Sequence, residues 1–260
     1  MASRRKGREG GYEAIASNFR RKISDGELSP GDPLPSMRAV CDEFGATITT
    51  VNRAYRLLQS EGLTQSKPGV GTVVRDQRRV RVPFSTYGEV LAPGGDRGPW
   101  ERATAAQGLA GGMVVQPPEQ EEAPAEVAQA LGVEPGTPVI HRRRRATIGD
   151  EVVQIQDAWY PLDVAAAAGL DAPGKIVGGI LGAMTGAGLL PTSTDHRVTA
   201  WVPTAEQASE LSLGARVSVL VVERVTRDDK GNVLEVARVT GAADRLELVY
   251  EGLPLHQAPS

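Results

Sequence analysis

A chain of 260 residues with 40% hydrophobic and 23% charged residues has the composition of a soluble globular protein of two domains. Its single cysteine excludes an intrachain disulfide, and it contains neither a signal-peptide pattern nor an 18-residue apolar span, so we expect a cytoplasmic protein outside membranes. Residues 1–79 hold 14 Lys and Arg against 9 Asp and Glu, whereas the other residues hold 15 against 23, so the basic first part suits a polyanion.

The first predicted helix runs from about Gly11 to Asp25 and ends at Gly26. Its apolar residues recur at helical spacing on one face, and these are Tyr12, Ile15, Phe19 and Ile23. Before this helix, the basic run 3–8 is either a solvated tail without structure or an arm that adds phosphate contacts.

Two shorter helices follow, each with a capping residue before it and a glycine after it. Ser36 is placed to cap the helix that ends at Gly45, and Thr47 to cap the helix that ends before Gly62. Their apolar stripes are Met37, Val40, Cys41 and Phe44 in the first helix, and Val51, Ala54, Tyr55 and Leu58 in the second. The opposite face of the second helix carries side chains that can donate to phosphates or read base edges: Thr49, Thr50, Asn52, Arg53 and Arg56.

A glycine-rich hairpin is predicted after these helices. The chain alternates after Leu63, turns at residues 67–71 and returns through residues 72–74. Lys67 places a positive charge at the start of the turn, and Gly69 lets the backbone approach a groove closely. Two helices joined by a tight turn and followed by such a hairpin are the layout of a winged helix-turn-helix, which places one helix in the DNA major groove.

The segments LPSMRAVCDEFG, TTVNRAYRLLQSEGL and GVGTVV resemble, in this order and spacing, the amino-terminal domain of the GntR family of bacterial transcription regulators. The resemblance covers about residues 10–75. It implies that Arg38 contacts DNA from the start of the second helix and that Gly69 lies at the wing tip in the minor groove. The candidate DNA-binding residues are Ser36, Arg38, Thr47, Thr49, Thr50, Asn52, Arg53, Lys67 and Gly69.

Two positions of the predicted recognition helix depart from the family pattern. Ile48 stands where members commonly have arginine, and Asn52 stands where they often have arginine. A missing arginine removes a bidentate reader of guanine, whereas asparagine suits adenine. An operator sequence therefore cannot be transferred from the family to this chain.

The predicted DNA-binding domain, residues 10–75, is followed by a linker at residues 76–99 and a second domain at residues 100–252. The stretch 91–99 is rich in glycine and proline, which favours a loose connection.

The second domain contains a weak internal repeat at an offset of 80 residues. The helical patterns at 125–133 and 205–213 match, and each is followed by a turn and a strand. Each half then reaches an arginine at the same offset, Arg144 in the first and Arg224 in the second. Such a duplication predicts a pseudo-symmetric antiparallel sheet flanked by helices.

This half resembles the effector-binding UTRA domain of the HutC subfamily, whose fold is similar to chorismate lyase. The resemblance rests on the two A-E-x-A-x-x-L helices, on the segment LEVARVTGAADR and on the strand that ends in AWYP. It implies an α+β protein: an N-terminal winged helix-turn-helix plus a C-terminal chorismate-lyase-like antiparallel sheet flanked by helices.

By the same resemblance, a small-molecule effector lies in a cleft between the sheet and the helices. Arg144 matches the strand arginine of the subfamily, and Gln156 falls where a pocket glutamate is common. Glu235 falls on a later acidic position, and Arg245 belongs to an Asp-Arg motif near the final strand. These four residues are the candidate effector-binding residues.

Three positions depart from the sugar-phosphate sensors of the subfamily. Ala146 stands where those proteins have a second arginine, and Gly178 and Gly241 stand where they have tyrosines. A phosphate group prefers bidentate arginines or helix N-termini. We therefore hypothesise a roomier and less cationic cavity, whose effector is larger or less charged and presents a single anionic group to Arg144.

The sequence indicates no metal site, no nucleotide-binding loop and no catalytic site. The three histidines lie far apart without partners at ligand spacing, so we expect no metal site and no cofactor. The stretch 177–188 lacks the GK[ST] ending of a phosphate loop and is predicted as a glycine-weakened helix with its C-cap. No nucleophile motif accompanies Asp195 and His196, so no catalytic site is predicted.

The sequence thus predicts a sequence-specific transcriptional regulator, a repressor that a small-molecule effector releases from double-stranded DNA. We expect a homodimer that reads an inverted repeat with half-sites about one turn, roughly 34 Å, apart. Two alternatives stay open at this point. One is a constitutive repressor of the plasmid-transfer type with a vestigial sensor domain, and the other is a chorismate-lyase-like enzyme that carries a DNA-binding domain.

Overall fold

The computed structural model describes residues 11–83, 98–176 and 178–251, and the chain divides into two compact units. The first unit contains the chain up to Arg78 together with Val202–Ser218, and the second contains Arg79–Trp201 and the chain from Val219. The basic run 3–8 and the stretch 91–97 of the predicted linker lie outside the described residues. The domain boundaries at 75/76 and 99/100 stay a prediction.

Three helices begin the first unit, and they are α1 (Tyr12–Ser24), α2 (Met37–Phe44) and α3 (Ile48–Ser60). We call residues 11–78 the head. The predicted caps are confirmed, because the Ser36 hydroxyl accepts the Ala39 backbone N–H and the Thr47 hydroxyl accepts that of Thr50. Gly45 ends α2 with a left-handed φ of 60°.

The head is held together by the apolar stripes of its helices. The side chains larger than alanine with no exposed surface are Ile15, Phe19, Val40, Val51 and Leu58. Burial of each such large side chain stabilises the fold by about 1.5–3 kcal/mol. With one face of α3 committed to this core, its other face is presented to solvent on a rigid support.

The predicted hairpin forms the wing of the head. Strands β1 (Thr64–Lys67) and β2 (Gly71–Val74) pair antiparallel, with Lys67 opposite Gly71 at the turn. Gly69 adopts φ of 75°, in the left-handed region that suits glycine. Buried Val74 ties the returning strand to the head core, while the tip is exposed.

The second unit is built on an antiparallel sheet. Its strands are β3 (Val80–Pro83), β4 (Gly111–Val115), β5 (Glu119–Glu122), β6 (Pro138–Ile148), β7 (Glu151–Pro161), β8 (Pro191–Trp201), β9 (Val219–Asp228), β10 (Val233–Ala242) and β11 (Leu246–Val249). The main sheet has the order β4-β6-β7-β10-β9-β8, and β5 also pairs with β6. The hairpins β6–β7 and β9–β10 meet through β7 and β10, so the two halves of the repeat lie side by side. Strands β3 and β11 form a separate parallel pair.

The remaining helices are α4 (Pro99–Ala105), α5 (Ala125–Leu131), α6 (Leu162–Ala168), α7 (Ile180–Gly186) and α8 (Ala205–Glu210). Neighbouring residues of a strand point to opposite faces of a sheet. Trp159 packs with α5, whereas Tyr160 packs with α6 and α7, so the main sheet is covered on both faces. The α+β fold with an antiparallel sheet and flanking helices is confirmed.

Two features are absent from residues 11–83, 98–176 and 178–251. No helix in these ranges is both long and apolar enough to cross a bilayer. The same residues contain no cluster of three or more His, Cys, Asp or Glu side chains that could hold a metal ion.

Candidate functional sites

The first candidate site is the exposed face that α2, α3 and the wing form on the head. Arg38, on the first turn of α2, and Thr49 and Arg53 of α3 are exposed, whereas Thr50 and Asn52 are half-buried. Most of the predicted DNA-binding side chains therefore lie on solvent-facing positions at or near helix N-termini. Ser36, Thr47, Lys67 and Gly69 are exposed as well.

The Ser36 and Thr47 hydroxyl groups of this face cap the helices α2 and α3. The Ser36 hydroxyl accepts the Ala39 N–H at 3.2 Å, and the Thr47 hydroxyl lies 2.9 Å from the Thr50 hydroxyl. A hydroxyl that accepts a bond keeps a proton to donate. Ser36 can therefore cap α2 and also donate to a phosphate, which positions a helix N-terminus on DNA.

Arg53 is oriented by the first helix. Its guanidinium carbon lies 3.9 Å from the centre of the Tyr12 ring, within the range of a cation–π contact. This contact places the Arg53 charge at the side of the face where α1 passes α3. The position suits a phosphate better than a base edge.

Two apolar side chains on the same face were not among the predicted contacts. Ile48, the first residue of α3, is 59% exposed, and Val70 at the wing tip is 54% exposed. The sequence could have indicated that Ile48 is exposed, because this residue follows the cap Thr47 and does not belong to the apolar stripe of α3. An apolar side chain at this place can contact a thymine methyl group.

The second candidate site is a cavity of about 370 Å³ in the second unit. It lies on the sheet face opposite α5, where strands β6, β7, β9 and β10 contribute lining residues together with α4, α7 and β11. The polar side chains that line it from the sheet are Arg142, Arg144, Gln154, Gln156 and Arg224. Arg142 and Arg144 share this face, as strand alternation predicts.

Glu235 is buried beneath the cavity rather than lining it. Its carboxylate is fully buried and accepts hydrogen bonds from the Tyr160 hydroxyl at 2.9 Å, from Arg224 at 2.7 and 2.9 Å and from the Thr226 hydroxyl at 3.3 Å. Burial alone would raise the pKa of Glu235, but the Arg224 and Arg144 guanidiniums hold it below the ordinary value. Burial and the Glu235 charge raise the pKa of Tyr160, so this hydroxyl stays a donor. Glu235 therefore positions Arg224, which does line the cavity.

This arrangement predicts acid sensitivity. Because the folded-state pKa of Glu235 lies below its ordinary value of 4.5, its carboxylate stabilises the fold fully above about pH 4.5. The contribution is lost as the pH falls through the lower folded-state pKa. Urea unfolding of the wild type and of Glu235→Gln should therefore differ most at pH 7, and the difference should shrink progressively as the pH falls from 4.5 towards about 2. A difference that stays constant over this range would contradict the ionised carboxylate.

Arg142 has a structural role in the second unit. It is 1% exposed, and its guanidinium donates to the carbonyl oxygens of Leu170 and Ala172 at 2.6 and 2.8 Å and to that of Gly174 at 2.6 Å. These carbonyls belong to the loop after α6. Arg142 therefore holds that loop on the sheet, with three of its five N–H groups engaged there.

Arg144 is the strand arginine whose guanidinium is not committed. It is half-buried, and the structure shows neither an ion pair nor a hydrogen bond for it among the described residues. Its Nε atom is buried without an acceptor. Gln156 lies opposite Arg144 on β7 and donates to the Gln154 side chain at 3.1 Å. Arg144 and Gln156 thus lie together in the cavity.

Arg245 and Gly241 are placed differently from the sequence expectation. Arg245 is 1% exposed, forms an ion pair with Glu151 and does not line the cavity. A Cβ at Gly241 would meet the Leu246 Cδ1 at 2.1 Å. The space that a tyrosine would take at position 241 is therefore filled by Leu246, so the cavity is more apolar there but not roomier.

Comparison with known proteins agrees with this architecture. The chain matches the UTRA domain over residues 106–247 and the gntR family of bacterial regulatory proteins over residues 11–74. The uncharacterized HTH-type transcriptional regulator SCO4628 of Streptomyces coelicolor is 30% identical over 92% of this chain and 91% of its own. The HTH-type transcriptional repressor PhnF of Mycolicibacterium smegmatis is 25% identical over 83% of this chain and 82% of its own.

A crystal structure of another GntR-family transcriptional regulator shares 28% sequence identity, with a TM-score of 0.58 over 94% of this chain and 98% of that protein. Both families and these relatives are transcriptional regulators rather than enzymes, so the chorismate-lyase-like enzyme is not supported. Regulators of this kind bind DNA operators and an effector in the UTRA domain. The chain belongs to the GntR family, as a transcriptional regulator in which a GntR DNA-binding domain precedes a UTRA effector-binding domain.

Proposed function

We propose that this protein is a repressor that binds its operator through the head and leaves it when a small molecule occupies the cavity. The observation that carries the proposal is the presence, in one chain, of an exposed polar helix face and of a cavity with an uncommitted arginine, Arg144. Positive charge is concentrated in residues 1–79, which favours DNA as the partner of the head. A repressor of this kind acts in the cytoplasm.

Release requires that the ligand distinguishes two states of the protein. A ligand shifts an equilibrium only by its difference in affinity for the two states. A molecule that binds the cavity more tightly when the heads are wrongly spaced for the operator would therefore weaken DNA binding. DNA binding would weaken ligand binding by the same factor.

In this proposal α3 enters the major groove. Asn52 reads adenine, and the exposed Ile48 contacts a thymine methyl group, so the operator half-sites are rich in A·T pairs. Arg38 contacts DNA from the start of α2. The other predicted residues contact the DNA backbone or, at the wing tip, the minor groove, and they are Ser36, Thr47, Thr49, Thr50, Arg53, Lys67 and Gly69.

We also propose that the protein acts as a homodimer and that β8 pairs with β8 of a second copy. Strand β8 has 11 residues, forms one edge of the main sheet, and pairs on its outer side with no described segment. Such an edge is a template for further strand pairing. About a two-fold axis at His196, antiparallel pairing places Asp195 opposite Arg197 of the second copy, and their side chains are 76% and 79% exposed.

A charge swap tests this pairing. Asp195→Arg should place two like charges opposite each other twice per dimer and raise the dimer dissociation constant, because each cross-strand pair is worth about 0.2–1 kcal/mol. Asp195→Arg combined with Arg197→Asp should restore wild-type dimerisation. Sedimentation equilibrium measures both constants. Equal dissociation constants for the wild type and the single variant would exclude this surface.

Footprinting upstream of the protein's own gene tests the DNA-binding part of the proposal. Two protected half-sites about one helical turn apart, rich in A·T pairs, are expected. A cleavage pattern that stays uniform while the fragment is fully bound would count against sequence reading by the head.

A further inference from the structure

We propose that the cavity takes an amphipathic monoanion, a carboxylic acid whose carboxylate pairs with Arg144 and whose aliphatic body fills the rest of the space. This inference rests on the proposed function, because it assumes that the cavity is the ligand site. It goes further by naming the chemical class of the ligand.

The walls of the cavity are aliphatic on several sides. Met113 of β4, Ile180 and Leu181 of α7, Val222 of β9 and Leu246 beside β10 all line it. A sugar ring would bring hydroxyl groups against these walls, and a buried hydroxyl without a partner is unfavourable. A hydrocarbon body instead gains from leaving water. The walls therefore favour an aliphatic ligand.

Of the other four cations of the lining, Arg142, Lys175 and Arg224 have partners, whereas Arg102 lies on helix α4 and not on the sheet. Arg224 is bound to Glu235, and the Lys175 ammonium lies 2.7 and 2.8 Å from the two carboxylate oxygens of Glu101. Arg142 donates to three backbone carbonyls, as described above. Arg144 is the arginine of the sheet for which the described residues provide neither a hydrogen bond nor an ion pair, so an anionic group of the ligand is expected there.

A ligand group with one negative charge suits the surroundings of Arg144 better than a group with two. The group formed by Arg144, Arg224 and Glu235 contains two guanidiniums and one carboxylate, a net charge of +1. A phosphate dianion is held by several charge-assisted bonds, often from two arginines. Arg142, two residues before Arg144 on the same face, is held by three backbone carbonyls, and buried Ala146, two residues beyond Arg144, supplies no further guanidinium. A carboxylate can use the fork of one arginine alone.

The size of the cavity limits the body of the ligand. Ligand cavities of proteins span roughly 300–1,000 Å³, and this cavity of about 370 Å³ lies near the lower limit. A medium-chain acid is therefore a better probe than a long lipid chain. Decanoate meets the three requirements of one charge, an aliphatic body and modest length.

Calorimetric titration of the full chain with decanoate, below the concentration at which it forms micelles, tests the inference. Decanoate should bind, while decanol and glucose 6-phosphate should bind at least tenfold more weakly. Arg144→Ala should lose roughly 10- to 150-fold in decanoate affinity, the range for a hydrogen bond to a charged group. Lys230→Ala removes an exposed cation in the turn between β9 and β10 that does not line the cavity, and it should change the affinity less than about threefold.

Two further measurements keep the test independent of misfolding. Thermal melting shows whether each variant is folded, and Arg144→Lys retains the charge without the planar fork of arginine. A folded Arg144→Ala variant that binds decanoate like the wild type would overturn the inference. So would tighter binding of glucose 6-phosphate than of decanoate, or no binding of decanoate at all. Operator binding by the same preparations is measured separately, so a wrong ligand class is distinguishable from a protein that does not regulate DNA.

Discussion

Replacing Glu235 by alanine is expected to destabilise the second unit by about 3–5 kcal/mol, because it removes a fully buried carboxylate that is the counter-charge of the half-buried Arg224 guanidinium. Arg224 would lose both of its bonds to the carboxylate, and the Tyr160 hydroxyl would lose its acceptor. All three tryptophans, Trp100, Trp159 and Trp201, lie in the second unit. Urea unfolding followed by tryptophan fluorescence therefore reports on this unit alone.

Glu223→Ala is the matched control for this variant. Glu223 lies on the neighbouring strand β9, is partly exposed and pairs with Arg197 and Arg238. A partly exposed ion pair is worth about 0–1 kcal/mol, so the control should unfold close to the wild-type urea midpoint. Equal midpoints for Glu235→Ala and Glu223→Ala would show that the buried cluster does not hold the sheet together.

Replacing Arg38 by alanine is expected to weaken binding to the preferred DNA fragment by about 1–3 kcal/mol, roughly 5- to 150-fold, if the side chain reads a base. Arg38 is exposed on the first turn of α2, and its truncation removes no buried packing. The loss should then be larger on the preferred fragment than on random duplex. A loss of equal size on both would assign Arg38 to a phosphate instead. Fluorescence anisotropy at a fixed salt concentration measures both affinities.

Lys230→Ala controls for the change in net charge. Lys230 lies in the exposed turn between β9 and β10, outside the head, so its loss should leave both affinities within about twofold of the wild type. An Arg38→Ala variant that binds the preferred fragment as tightly as Lys230→Ala does would remove Arg38 from the DNA-binding face.

The head could be predicted from the sequence because its signals are local. The caps at Ser36 and Thr47, the glycine at position 45 and the apolar stripes each act within one or two turns of a helix. Nothing in this pattern required knowledge of a distant strand. The candidate side chains therefore lie on α2, α3 and the wing, as the local pattern indicates, and their contacts with DNA stay a prediction.

The cavity was predictable only in part, because its chemistry depends on strand register. Alternation along β6 placed Arg142 and Arg144 on one face. The buried contacts of Glu235 could not be predicted from alternation along one strand, because Tyr160 and Arg224 reach it through the pairing of β10 with β7 and β9. The filling of the space at Gly241 by Leu246 likewise depends on a contact formed only after the chain has folded.

Selection from fragmented genomic DNA tests the central claim most directly, namely that α3 reads duplex sequence while the UTRA domain serves as the ligand-binding part of a regulator. Purified protein is mixed with the fragments at moderate salt, and the bound fraction is sequenced. We predict strong enrichment of a few fragments that share an inverted repeat with A·T-rich half-sites. Bound fragments in the same proportions as the input would contradict the claim.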